Sequence, residues 1–479
     1  MKLILVLSLA LVVSTAVLAK PNKEVAKEKP VEESIEEGDP TLNDDIHPEE
    51  ITKTHTDEDI KSKSLPKGLK IAEIEEEYTP EAVPEARVSY DGSQLLRVVL
   101  DSKDKKKIIG KLRDTRDISM WGGNQTAVDI LVRPDSKDTV LKSLASNTIN
   151  YEVVIEDVQK AIDEENPVQE DDELENRQGH QMTWNSYHRV STIHSYLDYL
   201  GQTYPNLVST QVIGTSHKGR PLKLVKISNG KSGNKAIFVD GGMHAREWIS
   251  PASVSYIIND LVLNFDSLPN DLQNLDWYIL PVANPDGYEY SHETDRLWRK
   301  NRAYNGQCHG TDLNRNFGYK WGGRGSGHNP CQEIYAGTGP FSEPESNAIR
   351  NFITYTKANW QGYVSFHSYG QYILYPWGYD KFVTSDYQDM SRVAKAAAQA
   401  IRDAGGPSYT VGSSGITLYP ASGGSDDWAK GSIKMKYAYT IELRDTGRHG
   451  FILPANYIKP TATEAFAALR VVAKAVAAI

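Results

Sequence analysis

The spacing of apolar and polar residues separates a polar front segment from two regions with the periodicity of folded structure. Residues 20–85 hold few large apolar side chains and many Glu, Asp, Lys and Pro residues, a composition typical of a disordered, solvated leader. Residues 86–177 predict a small α+β module with an antiparallel sheet. Its predicted strands are 93–100, 128–132 and 151–155, and its predicted helices are 103–116 and 136–144.

From residue 178 onward, apolar runs of strand length alternate with amphipathic stretches of helix length. We predict helices at 187–199, 251–264, 343–359, 389–403 and 462–478, and strands at 223–227, 235–240, 276–281, 361–367 and 437–443. This alternation is typical of an α/β fold with a mixed, mostly parallel twisted sheet and helices on both faces. Functional side chains in such sheets follow the carboxyl ends of strands, so those loops are where chemistry is expected.

The first 19 residues have the pattern of a secretory signal peptide. A short positive start precedes an apolar run over residues 3–18, and Val17 and Ala19 are small residues at a cleavage point. The alternative, a membrane anchor, needs a longer apolar core. Secretion would place Cys308 and Cys331 where they can form a disulfide, worth about 3 kcal/mol by loop closure.

Composition narrows the classes of partner. Charged residues total 24% and the net charge is −10, which argues against a general nucleic-acid binder, and no apolar stretch of 18 residues follows the N-terminus. Residues 20–177 carry a net charge of −16 and residues 178–479 carry +5. Opposite charges favour docking of the first region on the second, although an acidic leader that only maintains solubility explains the same asymmetry.

A metal site is predicted where two strands end. His244 and Glu247 follow the apolar run 236–239 and are three residues apart, so both can reach one ion. His367 ends another predicted strand and is the candidate third ligand, because catalytic zinc sites often use two histidines and a glutamate. A single H-x-x-E pair also arises by chance. Glu442 lies within a third, otherwise apolar predicted strand and is either a general base or the partner of Arg444 or Arg246 in a buried ion pair.

Six separated motifs resemble those of the zinc metallocarboxypeptidases of the carboxypeptidase A/B type. They are HAREWISP, RLWRKNR, DLNRNF, SFHSYGQ, LYPASGGSDDW and ELRDTGRHGF, spread over residues 244–451. The resemblance extends over about residues 184–479 and, more loosely, over the preceding module. It implies a carboxypeptidase-like fold and a hydrolase that releases the C-terminal residue of peptides and proteins.

The resemblance also implies a role for individual residues. It assigns one Zn²⁺ per chain to His244, Glu247 and His367, the general base to Glu442 and stabilisation of the oxyanion to Arg299. Asn314 and Arg315 match the pair that holds the substrate carboxylate, and Tyr419 matches a mobile tyrosine that closes over substrate. The secondary substrate-contacting positions fall on Arg246, Arg296, Ser368, Tyr369 and Phe451.

Specificity is expected to depend on Asp426. Its position matches the floor of the pocket for the C-terminal side chain, which is apolar in A-type enzymes and aspartate in B-type enzymes. A carboxylate there favours a C-terminal Lys or Arg. The alternative is an A-type or mixed preference, which would follow if a neighbouring cation occupied Asp426.

The α+β module resembles the activation segment of this family. We therefore expect four parts: a signal peptide (1–19), a leader (20–85), an activation domain (86–177) and a catalytic domain (178–479). The module would inhibit the catalytic domain until an endoprotease cuts at Arg177-Gln178. We expect a secreted, extracellular monomer that binds neither nucleic acid nor membrane. A catalytically inactive binding module is the rival class, but such relatives usually lack a ligand or the base, and this chain keeps all of them.

Overall fold

The computed structural model describes residues 85–124, 126–168 and 179–479. The predicted signal peptide, nearly all of the predicted leader and the predicted cleavage site at Arg177-Gln178 lie outside these residues. In the described ranges, no helix is both long enough and apolar enough to cross a membrane.

The N-terminal module is a four-stranded antiparallel sheet whose first two helices pack on one face, while its third helix packs on the other. Its elements are β1 (Gln94–Val99), α1 (Lys103–Asp114), β2 (Ile118–Gly123), β3 (Ala127–Val132), α2 (Pro134–Ser146), β4 (Tyr151–Ile155) and α3 (Val158–Glu165). The strand order is β2-β3-β1-β4. Ser102 accepts a hydrogen bond from Lys105 N at the start of α1, and Asp157 accepts one from Lys160 N at the start of α3. These side chains satisfy backbone donors that the first turn of a helix leaves free.

Alternation along β1 gives the module two buried faces. Leu96 and Val98 belong to a core that also contains residues of α1 and α2. Leu95 points the other way and packs with Leu297 and Phe451 of the C-terminal region. The module therefore uses the second face of its sheet to dock on the larger domain.

The C-terminal region contains an eight-stranded sheet. Its strands are β5 (Val208–Thr215), β6 (Pro221–Ile227), β7 (Lys235–Asp240), β8 (Leu275–Leu280), β9 (Asn359–Ser368), β10 (Tyr372–Tyr375), β11 (Thr410–Ser413) and β12 (Tyr437–Leu443). The order is β11-β10-β12-β9-β7-β8-β6-β5, and the central strands β12, β9, β7 and β8 are parallel to one another. The mixed, mostly parallel sheet expected from the sequence is confirmed.

Helices cover both faces of this sheet. They are α4 (Val190–Thr203), α5 (Ile249–Leu263), α6 (Asn270–Gln273), α7 (Pro285–Glu293), α8 (Pro344–Tyr355), α9 (Tyr387–Asp403), α10 (Ser414–Thr417), α11 (Ser425–Gly431) and α12 (Ile458–Ala477). On β7, Ile237 and Val239 face one core while Ala236 and Phe238 face the other. Burial on both faces explains why the central strands are continuous apolar runs.

Several short elements were not predicted, and some predicted boundaries differ from those observed: the helix predicted over 187–199 is Val190–Thr203, and the helix predicted over 462–478 begins at Ile458. β2 contains two glycines and β5 is an edge strand with exposed polar residues, so neither shows a clear apolar alternation. The helix predicted over 343–359 ends at Tyr355, and Asn359 begins β9. Cys308 and Cys331 form the expected disulfide.

Replacement of Phe238 by alanine should lower the free energy of unfolding by about 3–5 kcal/mol, because it leaves a cavity in a closely packed core. Phe238 is fully buried and its ring stacks on Tyr363 at 5.9 Å. Tyr355→Ala is the matched control, since Tyr355 is 79% exposed and should change the value by no more than about 0.5 kcal/mol. Chemical denaturation measures both variants. Equal effects would contradict the assignment of Phe238 to the core.

Candidate active site

The carboxyl ends of adjacent parallel strands bring the predicted metal ligands together. β7 ends at Asp240 and continues through Gly241 and Gly242 to His244. Gly242 has φ +64°, and a Cβ atom there would lie 2.8 Å from the Pro251 ring, so glycine is required in this tight exit. In the neighbouring strand pair, His367 of β9 lies opposite Glu442 of β12.

His244, Glu247 and His367 form one buried cluster whose ligand atoms all lie within 4.8 Å of one another. His244 Nδ1 lies 2.8 Å from Glu247 Oε1, and His367 Nδ1 lies 3.0 Å from Glu247 Oε2. The two Nδ1 atoms are 3.1 Å apart. Two imidazole nitrogens and a carboxylate facing one point are a donor set that zinc accepts.

The other nitrogen of each imidazole has an outer partner. His244 Nε2 lies 3.0 Å from Asp312 Oδ1, and His367 Nε2 lies 3.1 Å from the Ser365 hydroxyl. An Nε2–H that donates outward leaves the Nδ1 lone pair free for a metal ion. The residues present therefore fit a zinc ion held by His244, Glu247 and His367.

Asp312 connects the predicted metal ligands to a nearby cation. Its Oδ2 accepts hydrogen bonds from Arg299 at 2.9 and 3.1 Å, while Oδ1 faces His244. Burial alone would raise the pKa of Asp312, but Arg299 and His244 together lower it well below its usual value. Asp312 was not predicted as a functional residue. The signal available was its position at the head of the DLNRNF motif.

Glu442 does not form an ion pair with Arg444 or with Arg246, the two partners that the sequence suggested. Arg444 pairs with Glu464, and Arg246 lies 3.4 Å from Glu333, so the alternative of a buried ion pair between Glu442 and either arginine is wrong. Burial raises the pKa of Glu442 to about 7. A carboxyl group with its pKa near neutral pH is suited to accept and return a proton.

A cavity of about 390 Å³ opens from this cluster. It is lined by most of the residues predicted to contact substrate, namely Arg299, Asn314, Arg315, Ser368, Tyr369, Tyr419, Asp426 and Phe451. Asp426 is 5% exposed and Tyr419 is 53% exposed, so the first lies deep in the cavity and the second at its rim. Burial raises the pKa of Asp426.

Neighbouring groups hold the predicted carboxylate-binding pair in place. Asn314 Oδ1 accepts a hydrogen bond from Ser425 N at 2.9 Å. Arg315 donates from Nε to Gly325 O at 2.9 Å and from one terminal nitrogen to Asn314 O at 2.8 Å. Its guanidinium is buried. A fixed guanidinium on the wall of a cavity is a strong binding group for a carboxylate.

The N-terminal module contacts some of the residues that are predicted to contact substrate. Arg296 donates to both carboxylate oxygens of Glu165, at 2.5 and 2.6 Å, and both side chains are buried. Tyr369 OH donates to Asp129 at 2.8 Å, and the Trp121 ring lies 5.2 Å from Phe451. Arg246 does not contact the module through an ion pair in the described ranges, and its guanidinium lies over the Phe451 ring at 4.1 Å.

Comparison with known families agrees with this geometry. The family model described as zinc carboxypeptidase matches residues 193–468. The chain belongs to this family. A second model, described as carboxypeptidase activation peptide, matches residues 96–165, so this metallocarboxypeptidase carries an activation peptide and is a zymogen.

Individual relatives include both specificity types. The chain is 47% identical to carboxypeptidase B of Astacus astacus over 295 residues, which cover 61% of this chain and 97% of the relative. The crystal structure of thrombin activatable fibrinolysis inhibitor matches at 33% identity and a TM-score of 0.74, covering 81% of this chain and 100% of that one. Carboxypeptidase A of Helicoverpa armigera matches at 30% identity and a TM-score of 0.73, with coverage of 81% and 98%.

Replacement of His367 by alanine should abolish tight zinc binding, because it removes one of three converging ligands. His309→Ala is the matched control, since His309 is exposed and is not part of the cluster. Zinc content after dialysis against a weak chelator, measured by atomic emission, distinguishes the two variants. Equal zinc retention by both would rule out His367 as a ligand.

Proposed function

We propose that this chain is a secreted carboxypeptidase zymogen that, once activated, removes C-terminal Lys and Arg residues from peptides and proteins. The observation that carries the preference is Asp426, a buried carboxylate inside the cavity. Among the residues that the structure describes, no lysine or arginine forms an ion pair with it, and it accepts a hydrogen bond from Asp427 N at 2.9 Å. A substrate ammonium or guanidinium would supply the missing charge.

The chain's own residues account for binding and orientation. Arg315 and Asn314 would hold the terminal carboxylate of the substrate, which explains the choice of the last peptide bond. The side chain of the last residue would then extend toward Asp426. Tyr419, exposed at the rim, is placed to cover the bound residue.

Proton transfer is assigned to Glu442 and charge stabilisation to Arg299. When bound by His244, Glu247 and His367, zinc acts as a Lewis acid that makes a water molecule nucleophilic near neutral pH. Glu442 takes a proton from the attacking water, and Arg299 stabilises the negative charge that develops on the carbonyl oxygen. As the C–N bond breaks, Glu442 returns a proton to the leaving amine. One buried three-ligand cluster among the described residues supports one zinc ion per chain.

The activation module is proposed to inhibit the enzyme from within the same chain. Arg97, Trp121 and Asp129 of the module line the cavity that also holds Glu442 and Asp426. The buried pair of Glu165 and Arg296 holds the end of α3 against the catalytic domain. A long substrate would have to displace these contacts, so removal of the module by an endoprotease is expected to be needed for full activity.

Secretion is supported by the N-terminal pattern and by the disulfide, which persists in oxidising compartments.

We propose cleavage after Ala19 and, for activation, between Arg177 and Gln178. N-terminal sequencing should find a secreted chain that begins at Lys20, and trypsin should then produce one that begins at Gln178. Retention inside the cell or cleavage within the described catalytic domain would contradict these sites. A monomer with peptide C-termini as ligands, and no nucleic-acid or membrane partner, remains the expectation.

The alternative is an A-type or mixed preference, which the similarity to an A-type enzyme favours. Asp426→Asn distinguishes the two readings. For the trypsin-activated enzyme, kcat/KM for a peptide ending in Arg should fall by at least about 30-fold, since loss of one partner of a buried charge pair costs about 2–5 kcal/mol. Asp403→Asn, at an exposed position, is the control.

The same assay includes a matched peptide that ends in Phe. Release of Phe by the wild-type enzyme should be at least tenfold slower than release of Arg, and Asp426→Asn should not reduce it. Faster release of Phe than of Arg by the wild-type enzyme would overturn the basic preference but leave the peptidase reaction intact.

Replacement of Glu165 by glutamine should weaken inhibition by the module, because it leaves the buried Arg296 without a counter-charge. The intact precursor of this variant should hydrolyse a short peptide ending in Arg at least tenfold faster than the wild-type precursor. Glu164→Gln is the matched control, since Glu164 is the adjacent residue and is exposed. Identical precursor activity for both variants would show that this ion pair does not hold the module.

A further inference from the structure

A buried carboxylate, Asp240, lies beside the proposed metal site and has no part in the reaction described above. It ends β7 and is fully buried. Its hydrogen-bond partners in the described ranges are two hydroxyl groups: Ser365 Oγ donates to Oδ1 at 2.6 Å, and Tyr363 OH donates to Oδ2 at 2.5 Å. No lysine or arginine forms an ion pair with it there. A buried carboxylate without a paired cation is costly, so its presence needs a reason.

The register of the sheet explains how these groups meet. Asp240 of β7 lies directly opposite Ser365 of β9 in the parallel pairing. Tyr363, Ser365 and His367 are alternate residues of β9 and therefore share one face of the strand. Val364 and Phe366, on the opposite face, are part of the core. The strand thus presents two hydroxyls and an imidazole in a row beside Asp240.

The Ser365 hydroxyl transmits the effect of this carboxylate to His367. Its proton is committed to Asp240, so its oxygen is left to accept, and His367 Nε2 lies 3.1 Å away. That arrangement favours the tautomer with hydrogen on Nε2 and the lone pair on Nδ1. His244 reaches the same state through direct contact with Asp312.

We infer that Asp240 is a positioning residue for the zinc site: through the Ser365 hydroxyl it holds the imidazole of His367 with Nδ1 toward the metal ion. The inference rests on the ligand set proposed above. The positive charge of the bound ion, acting through His367, offsets the burial of Asp240. Tyr363 donates to the other oxygen of Asp240, Oδ2, and does not contact His367 through Ser365. It therefore serves as an internal control.

The test measures zinc affinity of the full-length chain by competition with a chromogenic chelator, independently of peptide hydrolysis. Ser365→Ala and Asp240→Asn should each lower zinc affinity by about 10–100-fold, the usual effect of losing an outer-shell partner. Ser365→Thr restores a hydroxyl at the same position and should stay within about threefold of the wild-type value. Tyr363→Phe removes an equally buried hydroxyl from the same carboxylate and should also stay within about threefold.

Thermal unfolding of the metal-free variants separates positioning from folding. If Asp240→Asn lowers the unfolding midpoint of the metal-free chain, its zinc affinity does not test positioning. The test is then the difference in zinc affinity between Ser365→Ala and Ser365→Thr, which differ in the hydroxyl and one methyl group. Unchanged affinity in Ser365→Ala, or an equal loss in Ser365→Ala and Tyr363→Phe, would overturn the inference. Failure of the wild-type chain to bind zinc would instead refute the proposed ligand set, and the inference with it.

Discussion

The active site depends on a fully buried carboxylate, Asp312, that is shared between an imidazole and a guanidinium. One oxygen faces His244 and the other accepts two hydrogen bonds from Arg299. Without Asp312, Arg299 would lose both of these hydrogen bonds and keep only the more distant Glu247, 3.9 Å away, and His244 would lose the partner that orients its ring. One interaction therefore positions a proposed metal ligand and the proposed oxyanion-binding arginine relative to each other.

The same physical constraint shapes the interface with the activation module. Arg296 is buried, stacks on Trp248 at 3.7 Å and pairs with Glu165 of the module. Removal of the module leaves this guanidinium without its carboxylate. The docking face also has an apolar part, formed by Leu95, Trp121 and residues around Phe451, and a polar part that includes the hydrogen bond from Tyr369 to Asp129. The apolar contacts bury surface between the module and the larger domain, and the buried ion pair fixes the position of α3.

The sequence was most informative where periodicity or motif spacing reflects a strong physical requirement. The buried strands β7, β9 and β12 are apolar runs. His244, His367 and Glu442 are polar residues at or just beyond the carboxyl ends of these strands, and this position identified them as candidates. The roles of Arg299 and Asp426 came only from the family resemblance, because an isolated Arg or Asp in a loop has no distinguishing pattern. Their roles stay predictions until variants are measured.

Other features depend on contacts between distant parts of the chain and were not predictable from local pattern. Asp312 and Asp240 are single carboxylates whose partners lie on other strands and loops. The pairing of Glu165 with Arg296 joins residues 131 positions apart. β2 and β5 are poor in apolar alternation, and their pairing with neighbouring strands determines their conformation.

The central claim is that the buried cluster at the ends of β7 and β9 is a zinc-dependent peptidase centre. The most direct measurement is release of C-terminal Arg from a synthetic peptide by the trypsin-activated chain before chelation, after removal of metal and after zinc is added back. The account predicts activity that disappears with the metal and returns with zinc. Activity that persists in a chain shown to contain no metal would contradict it.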